Sequence, residues 1–373
     1  LGRVSADDWN ALVPDGNPFL RHEFLDALER HGCVGERTGW HPYHLLGFNP
    51  SGRLSAAMPL YLKTNSYGEF VFDWAWADAY DRYGLRYYPK LVSAVPFTPA
   101  TGRRMLVHPD ADGSSAREAL AAEAMRITES LGVSSYHCLF PMLDEVVALE
   151  GRGMRRRLGC QYHWENGGYG DFSGFLATLT SKKRKNIRRE RRLVEESGLR
   201  LRILHGPEMD EARWAVTHRF YESTFERRGG FATLTLPFFM EISETMGDQV
   251  VLCLAYDGPR EVAGAICLRS DTALYGRHWG CAAAYDGLHF EACYYQGIDY
   301  CIRTGLRRFE PGAQGEHKVS RGFLPTVTFS AHWIAHEGMR TAINDFLDRE
   351  APAVEDYATQ LAARSPYRGA ASE

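Results

Sequence analysis

The chain has 373 residues, of which 45% are apolar and 24% charged, and a formal net charge of −4. That balance suits two globular cores and excludes a disordered or fibrous chain. No apolar run approaches the ~18 residues of a spanning helix. The opening LGRVSADDWN lacks both a signal-peptide core and an initiating Met, so a trimmed, cytoplasmic chain is expected. The eight cysteines are scattered without a C-x-x-C pair, which fits a reducing compartment and gives no reason to expect a metal.

In chain order, PFLRHEFLDALERHG carries a helical apolar stripe closed by Gly32. YHLLGFNPSGRLSAAMPLYLKT reads as two strands joined at Asn49-Pro50-Ser51-Gly52. The aromatic stretch FVFDWAWADAYDRYGLRYYPKLVSAVPFTP reads as loop-rich. SSAREALAAEAMRITESLG predicts a helix capped by Ser114 or Ser115 and stopped by Gly132, with SSYHCLF a strand after it.

From about Gly167 the order begins again. DFSGFLATLT is helical, and Ser181 is the expected cap of a basic helix over 181–197. Within it, SKKRKNIRRERR holds eight Lys or Arg and one Glu, a local charge of +7 that leaves about −11 for the remainder. Such a block repels itself unless solvent or an anion relieves it. Ile187 and Val194, seven apart, can face the protein. A helix over MDEARWAVTHRFYESTFERR follows, then strands QVVLCLAYDG, EVAGAICLRS and TALYGRHWGC, a helix LHFEACYYQGIDYCIRTG, and a short strand RRFEPG. The expectation is an α+β protein of two domains, 1–166 and 167–373, each a mixed sheet flanked by helices.

Three stretches, YGEFVFDWAWADAYDRYGLRYYPKLVSAVPFTPATG, SKKRKNIRRERR and FEPGAQGEHKVSRGFLP, resemble the FemAB-like peptidoglycan biosynthesis/recognition family of predicted N-acyltransferases. That family is related to the Fem aminoacyltransferases and, more remotely, to GNAT acetyltransferases. The resemblance runs from about Asn17 to Arg368. It implies tandem GNAT-like domains, no cofactor, an aminoacyl-tRNA donor, and a cell-wall-type or other small amine acceptor.

The basic helix matches a Fem-like K-x-x-R-x-N-I pattern only approximately, at Lys182, Arg184, Asn186 and Ile187. Lys182, Arg184, Lys185, Arg188 and Arg189 are the candidate phosphate ligands, for tRNA or for a nucleotide-linked acceptor; the plain alternative is a solvated face. In FEPGAQGEHKVSRGFLP, Gly312 and Gly315 let the backbone turn around polar side chains. Moving an acyl group to an amine needs a proton acceptor and a stabilised oxyanion. His317 or Glu316 suits the first; Lys318 or Arg321 suits the second or binds phosphate, with Gln314 beside them. The resemblance puts a Lys at about position 318. Arg277 and His278 lie on the strand expected beside the reaction centre. Strand alternation sends them to opposite faces, so one of the two should reach substrate.

Asp73, Trp76, Tyr88 and Lys90 are candidates for an acceptor pocket, with a carboxylate holding a substrate ammonium. The alternative there is a buried core. Arg227-Arg228-Gly229-Gly230-Phe231-Ala232 matches a CoA pyrophosphate turn literally but precedes the strand hairpin, so acyl-CoA ranks behind tRNA. An acyl-CoA or carrier-thioester enzyme and a non-catalytic binder of a cell-wall precursor or RNA remain open. With no G-x-S-x-G and no P-loop, direct attack in a ternary complex is expected over a covalent enzyme intermediate.

Overall fold

The computed structural model describes residues 1–227 and 229–369. The chain divides into two compact units: Leu1–Cys160 with Val327–Tyr357, and Gln161–Thr326 with the described residues from Ala358 onward.

In the first unit, strands Trp40–Pro42, Tyr61–Lys63, Lys90–Ser93, Ser135–Leu139 and the end of Leu324–Ile334 lie side by side in that order. Lys90–Ser93 and Ser135–Leu139 run parallel; the other pairs are antiparallel. A parallel pair needs a crossover, and helix Gly113–Leu131 supplies it. Its cap is Asp112, whose carboxylate accepts from the Ser114 and Ser115 amides, so the predicted serines are one turn inside. Gly132 ends it in the left-handed conformation. The aromatic stretch is more regular than its composition suggests. It forms helix Trp74–Arg82, with Trp76 and Tyr80 buried four apart, and the fully buried strand Lys90–Ser93.

The second unit repeats the pattern. Arg260–Arg269 pairs antiparallel with Ala273–Cys281, which pairs parallel with Arg308–Glu310, which pairs antiparallel with the end of Arg155–Glu165. Val250–Asp257 and Arg200–His205 extend the sheet on the far side. The parallel crossover is the helical stretch 288–304, which loosens by one π turn over Glu291–Tyr295. The basic helix spans Ser181–Glu196 and its cap position is Thr180, one residue before the predicted serine. Ile187 and Val194 are its buried residues, and Ile187 joins a core with Phe175, Tyr295 and Phe309.

Helix Glu211–Glu226 lies against this sheet over two glycines. Gly264 and Gly280 are cross-strand partners, and a Cβ on Gly280 would stand 1.9 Å from the Phe220 carbonyl oxygen. Backbone cannot yield as a flexible side chain does, so Gly280→Ala should cost about 3 kcal/mol or more. Urea unfolding checks this: a loss under about 1 kcal/mol would mean that the helix seats elsewhere.

Candidate active site

In the second unit, the parallel pairing of Ala273–Cys281 stops after three residues, at Tyr275 opposite Glu310. The next residue, Pro311, has no amide hydrogen to donate, and Gly312, at φ +92°, turns the chain away. The later half of Ala273–Cys281 therefore has no strand beside it on that edge, and a cavity of about 490 Å³ opens there. Its walls are residues 276–279 of the strand, His289, Cys293 and Tyr294 of the crossover helix, and the loop 311–315 with His317 and Lys318.

Both Arg277 and His278 line this cavity, while the His278 ring packs against Tyr221 and Phe239. The strand carries a β-bulge here. Pairing with Arg260–Arg269 jumps from Ile266–His278 to Cys267–Gly276, leaving Arg277 as an extra residue. A bulge breaks the two-residue alternation and re-aims a side chain. Burial pushes the Arg277 guanidinium down to about 10. Burial and then the Arg277 charge hold His278 well below the usual imidazole range, so it is neutral near pH 7.

Lys318 sits in the short helix Glu316–Arg321 and is 3% exposed. Its ammonium donates to the Gly312 carbonyl at 2.7 Å, with the Tyr162 and Tyr294 rings 6.0 and 5.9 Å away. Among the described residues it has no carboxylate within ion-pair distance, and burial lowers it to about 8. His317 Nε2 is 2.9 Å from the Tyr294 hydroxyl. Burial, with Arg321 and Lys318 nearby, lowers His317. Burial, with His317, Lys318 and Arg321 nearby, takes His289 to about 4.

Gln314 also lines the cavity; Glu316 and Arg321 do not. Glu316 is exposed and pairs with Arg364 at 3.4 Å. Arg321 is buried and donates to Glu190 at 2.8 Å, to the Tyr295 hydroxyl at 3.0 Å and to the His317 carbonyl at 2.8 Å. Glu190 is the single acid of the basic run, and it faces inward to hold the helix to the 316–321 segment. Arg191 also turns inward, to Glu291 at 3.1 Å. Lys182, Lys185, Arg188 and Arg189 are exposed and Arg184 is half-buried; among the described residues none of the five has an ion-pair partner.

The sequence matches a known family across almost the whole chain, residues 1–369. The chain belongs to the FemAB-like family, described as peptidoglycan biosynthesis/recognition. Comparison with curated proteins gives no significant match. Among solved structures, FemX superposes at a TM-score of 0.56 with 11% identity, covering 91% of this chain and 98% of that one. The C-terminal domain of a protein from Agrobacterium fabrum assigned as a lysylphosphatidylglycerol synthetase gives 0.53 at 8% identity, over 90% and 95% of the two chains. L-PGS from Bacillus licheniformis gives 0.52 at 10%, over 87% and 96%. At such identities the likeness is one of fold. This FemAB-like chain thus shares its α+β fold with FemX.

In the first unit of the FemAB-like protein, Asp73, Trp76 and Lys90 are buried, with Tyr88 half-buried beside them. The ammonium that Asp73 holds is the protein's own Lys90, which also donates to Glu69 at 2.8 Å and to Ser66 at 3.0 Å. Tyr87 donates to Asp73 at 2.5 Å, and the Tyr88 hydroxyl meets Ser66 at 2.7 Å. Trp76 is buried with its ring 4.9 Å from His332. The CoA-like string lies after helix Glu211–Glu226 and does not line the cavity; its Arg228 lies outside the described residues. Trp279, Cys267, Cys293 and Tyr294 line the cavity without having been singled out in the sequence, where their apolar settings read as core. Among the described residues no helix is long and apolar enough to cross a membrane, and no cluster of ligand side chains is placed for a metal.

Proposed function

We propose that this protein is a Fem-type N-acyltransferase that moves an aminoacyl group from aminoacyl-tRNA to an amine of a small-molecule or cell-wall-type acceptor. The observation that carries the reading is Lys318: a buried ammonium with no carboxylate within ion-pair distance among the described residues, fixed by a carbonyl, at the wall of a cavity formed where two strands part. In the reaction the neutral amine attacks the ester carbonyl carbon and a C–N bond forms. The former carbonyl oxygen takes the negative charge, and Lys318 donates to it. His317, low enough to be neutral, accepts the amine proton. Collapse breaks the C–O bond, and the ribose oxygen leaves with the proton that His317 took from the amine.

Attack is direct. Burial keeps Cys293 well above the usual thiol range and pushes Cys267 up to about 12, so neither is a ready thiolate nucleophile. Lys182, Lys185, Arg188 and Arg189 hold tRNA phosphates along the exposed side of their helix. The test is filter binding of charged and uncharged tRNA across a salt series, with acyl-CoA as competitor, followed by transfer assays on a panel of amines. Charged tRNA should bind more tightly. The Arg188→Ala/Arg189→Ala variant should lower the slope of log K against log salt by about one to two. No tRNA binding, or its displacement by CoA, would remove this donor in favour of a thioester.

Lys318 also sets a pH limit. It is charged below about 8 and neutral above, so oxyanion stabilisation is present at pH 7 and lost as pH rises through 8. The transfer rate at saturating substrate should fall above pH 8, and Lys318→Arg should move that fall to higher pH. An unchanged descending limb in Lys318→Arg would assign it to another group.

A further inference from the structure

An acid on a helix that holds phosphates weakens the hold, so the place of Glu190 in SKKRKNIRRERR calls for another reason. Its half-buried carboxylate accepts from Arg321 through two bonds, at 2.8 and 3.3 Å, and from the Tyr295 hydroxyl. Arg321 also donates to that hydroxyl at 3.0 Å, closing a triangle between the basic helix, the crossover helix and the segment Glu316–Arg321. The other two corners both lead to His317. Arg321 donates to the His317 carbonyl at 2.8 Å. Tyr295 follows Tyr294, whose hydroxyl is 2.9 Å from His317 Nε2. His317 is therefore gripped at its backbone and at its ring, and both grips run back to Glu190. The rings pack along the same line: the Arg321 guanidinium lies 3.5 Å over the Phe290 ring, which stacks on Tyr294 at 6.0 Å and stands 5.7 Å from His317. A second tie, Arg191 to Glu291 at 3.1 Å, fixes the start of the π turn Glu291–Tyr295 to the basic helix. A buried ion pair adds little net stability over apolar packing; what a two-bond Arg–carboxylate fork adds is fixed geometry.

We propose that Glu190 is a positioning residue for transfer: through Arg321 and Tyr295 it sets the His317 imidazole where it takes the proton of the attacking amine. The inference rests on the transfer reading for its consequence, because His317 is the proton acceptor there. It gives the basic helix two faces with two roles. The exposed cations hold donor phosphates, and the inward acid aligns the base. Glu190 acts through other side chains, so its loss should appear in turnover and not in donor binding; a misplacement of about 1 Å costs up to about 10² in rate.

The test is single-turnover transfer at saturating aminoacyl-tRNA, with donor affinity read separately by filter binding, on the full chain. Glu190→Gln removes a negative charge from the phosphate-binding helix, so donor affinity should hold or rise while the rate falls at least about tenfold. Because Glu190→Gln leaves Arg321 buried without its carboxylate, Tyr295→Phe accompanies it. That variant removes one hydroxyl and no charge, and should lower the rate about three- to tenfold at unchanged donor affinity. The pH titration of the His317 ring by NMR, assigned by its absence in His317→Gln, needs no substrate. Lys318, Arg321, His289 and Tyr294 surround that ring, and burial, with Arg321 and Lys318, already lowers it. With Glu190→Gln the Arg321 charge loses its counter-charge, so His317 should titrate lower still. Unchanged rates in both variants, a loss of donor affinity that accounts for the loss of rate, or an unmoved His317 titration in folded Glu190→Gln would overturn the proposal. A protein that transfers nothing from any donor would refute the transfer reading alone, and the His317 titration would still decide whether Glu190 positions that ring.

Discussion

Lys318→Met is expected to lower kcat for transfer by about 10² to 10³ while leaving tRNA affinity nearly unchanged, the scale of losing one preorganised oxyanion donor. Its expected effect on stability runs the opposite way, which separates a chemical role from a structural one. The folded protein holds Lys318 at about 8, below its ordinary 10.5. Between those values the unfolded chain binds the extra proton, so charged Lys318 opposes folding at pH 7 and the penalty fades as pH rises toward 10.5. A methionine of similar length removes a poorly compensated buried charge. The variant should therefore melt no lower than the parent at pH 7, while its turnover collapses. A lysine that merely braced the 311–318 loop through the Gly312 carbonyl would behave otherwise, losing stability and activity together. Circular dichroism melts beside single-turnover transfer decide between these outcomes.

Much of the second unit was legible because its signals are local. Gly258-Pro259 punctuates two strongly apolar strands, Gly312 and Gly315 mark a turn at φ +92° and +113°, and Ile187 and Val194 mark the covered face of an otherwise charged helix. The cavity itself was harder to read. Period-two alternation predicts one of Arg277 and His278 inside, and a bulge is set by pairing with a strand that local spacing does not see. Tyr294 and Cys293 reach the wall from a helix whose composition is that of core, because cavity lining and core packing draw on the same residue types. Glu190 is the sharpest instance. One acid among eight bases reads as incidental, yet its carboxylate meets Arg321, 131 residues away. In the first unit, Asp73 and Lys90 each stood out as a charged residue in an aromatic setting. That they are each other's partners follows from the strand and helix bringing them together, which sequence separation conceals.

Lys90→Met should destabilise the first unit by about 3 to 5 kcal/mol, the range found when one partner of a buried ion pair is removed. Lys90 is 0% exposed, Glu69 and Asp73 are 3% exposed, and both carboxylates bond to the one ammonium. Burial alone would lower Lys90, but Glu69 and Asp73 outweigh it and hold the ammonium above its ordinary range. Burial pushes Glu69 up to about 7 even with Lys90 present. Asp73, which burial alone would raise, is held below its ordinary range by Lys90 and its hydrogen bonds. Take Lys90 away and two acids remain in a site with little water. The other buried cation nearby is Lys63, which burial lowers to about 7 and whose ammonium stands 4.0 Å over the Trp40 ring. The sign with pH follows. Asp73 favours folding above its unfolded value only while Lys90 is there, so in Lys90→Met both acids rise and stability falls as pH increases from 5 to 8. The parent protein should lack so steep a fall. Adding Glu69→Gln and Asp73→Asn to Lys90→Met should restore much of the loss, because the uncompensated charge causes it rather than the lost methylenes. Urea midpoints at pH 5 and pH 8 for the parent, single and triple variants measure both effects. A Lys90→Met loss below about 1 kcal/mol, the scale of an exposed pair, would mean that water reaches Asp73 and Glu69. Those carboxylates would then be open to an ammonium from outside the chain.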